Sequence, residues 1–147
     1  MNRKIGIIAS LVNVVAVVSF AVSMLFRFNF GSYFSSMFIA FSFVVMMCSY
    51  AFYAGKRRRV AGLVAAAFSA VYAAIILFVY FAQLTVVRNG NLTLQVADLL
   101  DFQKAGLMFD YDLLGYGMMA LSTFFAGLTI EPRGKLDKLL KALLCIH

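Results

Sequence analysis

The residues of this sequence best suited to chemistry are acidic, and they gather in one stretch. Asp98, Asp101, Asp110 and Asp112 lie between residues 85 and 112, and the last two stand beside Tyr111 and Tyr116 in the segment FDYDLLGYG, residues 109–117. Paired carboxylates with neighbouring phenols can bind a cation or a polar headgroup. The structural alternative is that Asp110 or Asp112 caps the helix that follows, accepting bonds from its free N–H groups and meeting the positive end of its dipole.

A second, neutral set is carried by apolar segments. Asn13, Ser42, Tyr72, Ser122 and Thr123 fall at similar depth if successive segments alternate in direction. Converging, they would act as interhelical glue worth about 0.6 kcal/mol per bond, or line a pocket or polar path for a small neutral or lipid-like ligand. The apolar segments hold no carboxylate, lysine or histidine of the kind that marks proton relays. That argues against a proton-coupled exporter of the small four-span type.

Enzyme templates find little to match. Neither H-E-x-x-H nor G-x-S-x-G occurs, and the single histidine is His147. Acid, base or metal catalysis needs converging titratable groups, which only the Asp-rich stretch could supply. No catalytic residue, metal site or cofactor is assigned. Cys48 and Cys145 are far apart and read as a packing residue and a reduced thiol.

The elements that must position these groups are membrane helices. Of 147 residues, 64% are hydrophobic and 13% charged, against roughly 25% charged in an ordinary soluble domain. Residues 5–26, 32–54, 60–84 and 113–130 contain no charged side chain. Each is near the roughly 20 residues a helix needs to cross the hydrocarbon core, and the first is too long for a signal-peptide core. The expected fold is all-α: an antiparallel bundle of four transmembrane helices over residues 1–131, followed by a tail at 132–147.

Charge sets the expected orientation. With the N-terminus in the cytoplasm, Arg3, Lys4, Lys56, Arg57, Arg58, Arg59, Arg133, Lys135, Lys138 and Lys141 share that side, leaving Arg27, Arg88 and Lys104 outside. This positive-inside pattern places both termini in the cytoplasm and suits a bacterial inner-membrane protein integral to the plasma membrane. Lys56, Arg57, Arg58 and Arg59 then face anionic lipid headgroups on the cytoplasmic side, not nucleic acid. Lys135, Lys138 and Lys141 join them from a short basic amphipathic helix that lies on the same leaflet.

The long outer loop, residues 85–112, is expected to be partly structured. Asn89-Gly90 suits a two-residue hairpin turn, and Thr93 suits the cap of a short helix through residues 94–102. Tyr33, Tyr80 and Tyr111 are expected at the outer interface. Gly62, Ala66, Ser69 and Ala73, with Gly6 and Ser10, and Gly115, Met119, Ser122 and Ala126, form seams along which helices can approach closely. The outline of four spans with a long third loop resembles tetraspanins in architecture only, because the loop has no cysteine.

The function expected from these features is that of a non-enzymatic accessory or assembly subunit, packing as a homo-oligomer or within a larger membrane complex. A transporter or binding protein using the neutral cluster is the alternative. An enzyme acting at the outer surface through the four aspartates is the third.

Overall fold

A computed structural model describes residues 2–132 and 134–146. Arg133, counted above among the basic residues, and His147, the single histidine, lie outside the described residues, as does Met1. The described residues are mostly helical and contain no strand. Its six α-helices are α1 (Asn2–Leu25), α2 (Asn29–Tyr53), α3 (Arg59–Ala82), α4 (Leu94–Leu100), α5 (Leu107–Thr129) and α6 (Lys135–Ile146).

Among the described residues, three helical stretches are long and apolar enough to cross a membrane: Asn2–Leu25, Asn29–Tyr53 and the continuous run Lys56–Val87. At 1.5 Å per residue, a helix of 24 residues such as α1 is about 36 Å long, more than the hydrocarbon thickness of about 30 Å. Helix α5 is nearly as long, with 23 residues. It differs by carrying Asp110 and Asp112 in its first two turns.

Helix ends follow local chemistry. After α1 the chain reverses through Arg27, whose φ of 53° is left-handed. Phe28 N–H donates to Ser23 O at 2.8 Å and Arg27 N–H to Met24 O at 3.1 Å, the paired bonds of a Schellman turn in which glycine is the usual residue. Beyond α3 the helix continues as a wider turn over Gln83–Val87, closed by Arg88 N–H to Gln83 O at 3.2 Å. The expected hairpin at Asn89-Gly90 does not form. Gly90 makes a turn at φ 69°, but the backbone before it is already committed to helical bonds and has none left for a strand partner.

Helix α3 is the centre of the packing. It lies against α2 on one side and α5 on the other, while α1 packs on α2 without comparable contact to α5. Tyr72, Ile76, Val79 and Ala65 of α3 are buried with Phe43 and Met47 of α2 and Ala126 of α5. The expected small-residue seams hold at their tightest points. A Cβ on Gly62 would stand 2.7 Å from Ala51 Cα, and one on Gly115 would stand 3.0 Å from Ile76 Cδ1. Ala65 rather than Ala66 completes the α3 seam, because Ala65 is fully buried and Ala66 is not.

The end of the molecule formed by the 54–58 and 130–134 connections is tied by Arg58. Its guanidinium donates to Ile130 O and lies 3.7 Å from Glu131. Helix α6 then folds back on α5, where Gly127 leaves room for Cys145. Leu136, Leu139, Leu140 and Leu143 stay exposed along α6.

Two glycines on α5 and α3 separate close packing from open space. Gly62→Val drives a branched side chain into the backbone of α2 and is expected to cost about 1–3 kcal/mol. Gly117→Ala meets nothing within 4 Å and should hold or raise stability, by up to about 1 kcal/mol. Denaturant unfolding in detergent, followed by circular dichroism, measures both.

Candidate functional site

A cavity of about 540 Å³ opens at the end of the molecule where α1 meets α2 and where the 88–106 connection lies. Phe20, Met24 and Arg27 line it from α1 and its terminal turn, and Asn29, Ser32 and Tyr33 from the start of α2. Tyr80 faces it from α3, Asp112 and Tyr116 from α5, and Phe102 and Gln103 from the connection above. Its walls mix aromatic rings, hydroxyls, amides, one guanidinium and one carboxylate.

The connection is held over this cavity by Gln83. Its buried amide donates to Leu100 O at 2.7 Å, and its Oε1 accepts from Phe102 N–H at 3.0 Å. These bonds set Phe102 against Tyr33 and Tyr80, with ring centroids 6.1 Å from each, while Tyr33 and Tyr80 stack at 5.4 Å. Gln103 Nε2 donates to the Tyr33 hydroxyl at 2.9 Å. The three rings and the amide make one wall. Of the three tyrosines expected at the outer interface, Tyr33 and Tyr80 pack into this wall and Tyr111 is exposed, beside Phe78.

Asp112 is the most unusual group in the site. The residue is only 5% exposed, and Oδ1 is buried without a hydrogen-bond partner. Tyr80 and Tyr116 line the same cavity beside it. Neither Asp110 nor Asp112 caps α5. The helix begins at Leu107 after Gly106, whose missing Cβ leaves room for the Asp98 carbonyl. Both aspartates thus fall within the helix, Asp110 pointing to the exposed side and Asp112 inward. The expected fourth span, residues 113–130, holds no carboxylate, but α5 begins six residues earlier and so buries Asp112.

The four outer-rim candidates divide. Asp112 and Tyr116 belong to the cavity, while Asp110 and Tyr111 are exposed outside it. The remaining acids of the connection are already engaged: Asp98 pairs with Lys104 at 2.6 Å, and Asp101 accepts from Gln103 N–H at 2.9 Å. Thr93 does occupy the position before α4, without a side-chain cap bond.

The neutral set does not converge on one point. Asn13 donates to Ser42 Oγ at 2.9 Å and to Ile39 O at 3.3 Å, joining α1 to α2. Ser122 donates to Ala65 O at 2.7 Å, joining α5 to α3. Thr123 bonds back to Ala120 O of its own helix. Tyr72 stands between these seams, its ring edge-on to Phe43 at 5.3 Å and 6.3 Å from Tyr116. These residues act as two separate ties, because α1 and α5 do not pack on one another.

Of the basic residues assigned to headgroups, Lys56, Arg57, Arg59, Lys135 and Lys138 are exposed and Lys141 is half-buried. Arg58 is engaged with Ile130 and Glu131, just after α5, as described. Gln83 was missed from sequence; a glutamine at the end of an apolar run, six residues before an Asn-Gly, was the available signal.

No protein-family model, no curated protein and no solved structure matches this chain.

The Gln83 tie can be broken alone. Gln83→Ala is expected to lose two bonds worth about 0.5–1.5 kcal/mol each. Amide exchange across residues 94–104 should rise well above that of α3, with overall helicity kept. Exchange unchanged in this stretch would show that the ring wall, not the amide, holds the connection.

Proposed function

We propose that the chain is a four-span integral membrane protein, with α5 as the fourth span, that binds a small molecule in the cavity beneath the 88–106 connection. The single observation behind this reading is the convergence of a buried, incompletely partnered carboxylate with phenols and an amide on one 540 Å³ space. A buried carboxylate is costly unless something supplies the missing partner. The binding class thus displaces the accessory role as the leading reading, and the site moves from the neutral set to the outer end.

The orientation rests on the basic residues. Exposed Arg57 and Arg59, with Lys135 and Lys138, belong to one end of the molecule, which the positive-inside rule assigns to the cytoplasm. The cavity then opens on the extracytoplasmic side of a plasma membrane of the bacterial inner-membrane type. Anionic headgroups are the counter-charges on the cytoplasmic side.

An accessory role keeps one specific support. Helix α1 buries only Ala9 and Ala16, and Ile8, Leu11, Val15 and Val18 are each more than half exposed. Such a face meets acyl chains or a second helix, and oligomeric state in native lipid distinguishes the two.

Two experiments test the reading. In whole cells whose native thiols are replaced, a cysteine at Asn91 should react with an impermeant maleimide, and one at Lys138 only after permeabilisation. Extraction into native lipid followed by intact mass spectrometry should find a defined small molecule on the wild type and none on Met24→Trp. Met24 is more than half exposed and lines the cavity, so the larger ring fills the space without breaking the core. Equal retention by the two proteins would remove the cavity from the reading.

A further inference from the structure

The cavity carries charge of both signs. Asp112 is a buried lining residue with Oδ1 unpartnered, and Arg27 lines the cavity from the turn after α1. No ion pair joins the two among the described residues. From this geometry we infer that the ligand is a zwitterion whose ammonium group sits against Asp112 and the rings of Tyr33, Tyr80 and Tyr116, with its acid group toward Arg27. The inference rests on the cavity being a binding site.

Several features single out an ammonium group. A buried carboxylate is neutralised either by a proton or by a cation. A proton would make Asp112 a donor, but it makes no use of the tyrosine rings that line the cavity beside it. An alkylammonium uses both, giving charge-assisted bonds to the carboxylate and electrostatic attraction to the ring faces. A bare metal ion fits poorly, since hard cations need several oxygen ligands and no group of three or more acidic, histidine or cysteine side chains occurs among the described residues.

Arg27 narrows the class further. A simple cation entering past a guanidinium meets repulsion, which an adjoining acid group turns into attraction. Arg27 also holds the left-handed position of a Schellman turn, where glycine or asparagine is the economical residue. Its backbone cost is offset if the side chain has work in the cavity. The other nearby charges are already committed: Arg88 lies over the Phe30 ring at 4.7 Å, Lys104 pairs with Asp98, and Asp101 bonds to Gln103 N–H.

An ammonium joined to an acid occurs in free zwitterions and in zwitterionic lipid headgroups. Phe20 and Met24 add an apolar margin on the α1 side, where α1 and α5 do not close on each other. Either source can reach the site.

The test uses the full chain in nanodiscs of phosphatidylglycerol, which lack ammonium lipids, with titration of choline, phosphocholine, phosphoethanolamine and inorganic phosphate. Tyrosine fluorescence reports binding, since the chain has no tryptophan. Phosphocholine or phosphoethanolamine is expected to bind more tightly than choline, and phosphate not to bind. Asp112→Asn should weaken the zwitterions at least about tenfold, the loss of one charge-assisted bond. Arg27→Asn, which suits the turn, should abolish the preference for phosphocholine over choline. Nanodiscs doped with phosphatidylethanolamine separate the sources: lipid retained and not displaced by phosphoethanolamine assigns the headgroup, and displacement assigns a free zwitterion.

Equal binding by wild type and Asp112→Asn would overturn the inference, as would failure of every ammonium probe and lipid. If native extraction still yields a molecule that Met24→Trp expels while no ammonium probe binds, the cavity reading stands and the zwitterion falls. If nothing is retained and nothing binds, both fall. Helicity and thermal unfolding of Asp112→Asn, expected at or above wild type, keep a folding defect from passing as lost binding.

Discussion

Close backbone approach along α3 is the constraint on which the rest depends. In a lipid environment apolar side chains gain nothing by leaving acyl chains for one another, so helices associate through van der Waals contact and interhelical hydrogen bonds. Gly62 against Ala51, Gly115 against Ile76, and the bond from Ser122 to Ala65 O place α3 between α2 and α5 at short range. From that seat the far end of α3 delivers Tyr80 to the cavity, and the turn after it delivers Gln83 to the connection. Shifting α3 outward by one side chain would separate Tyr80 from both Tyr33 and Asp112.

The cavity exists because the ring of helices is incomplete. Helix α1 leans on α2 alone and α5 on α3, so the space between them at the Arg27 end is closed only by the folded connection. Gln83 is the link between these two facts. One buried amide satisfies a carbonyl and an N–H of the connection at once, and buried backbone groups of this kind must be satisfied somewhere. The tie that folds the connection therefore also roofs the site.

Asp112 and Arg27 sit in locally unfavourable states, one a buried carboxylate oxygen without a partner, the other a non-glycine residue at positive φ. Such departures from local consistency gather where function is carried. That both line the same space is what separates this cavity from the apolar grooves elsewhere between α1 and α2.

By itself the sequence determined the helices. Uncharged runs of 18 residues or more, the basic turn at residues 56–59 and the leucine periodicity of the tail each act locally, through hydration and helical geometry. They identify α1, α2, the run through α3, and α6 to within a few residues. The start of α5 was not legible, since it depends on Gly106 admitting the Asp98 carbonyl, a contact between separated residues. That six-residue shift turned Asp112 from an expected cap into a buried wall of the site. Likewise the polar groups Asn13, Ser42 and Ser122 were recognisable as interhelical bonds, but which helices they join followed from packing. Only the tertiary structure decided that α1 and α5 stay apart, because the sequence records which faces are apolar and not which neighbour each face will find.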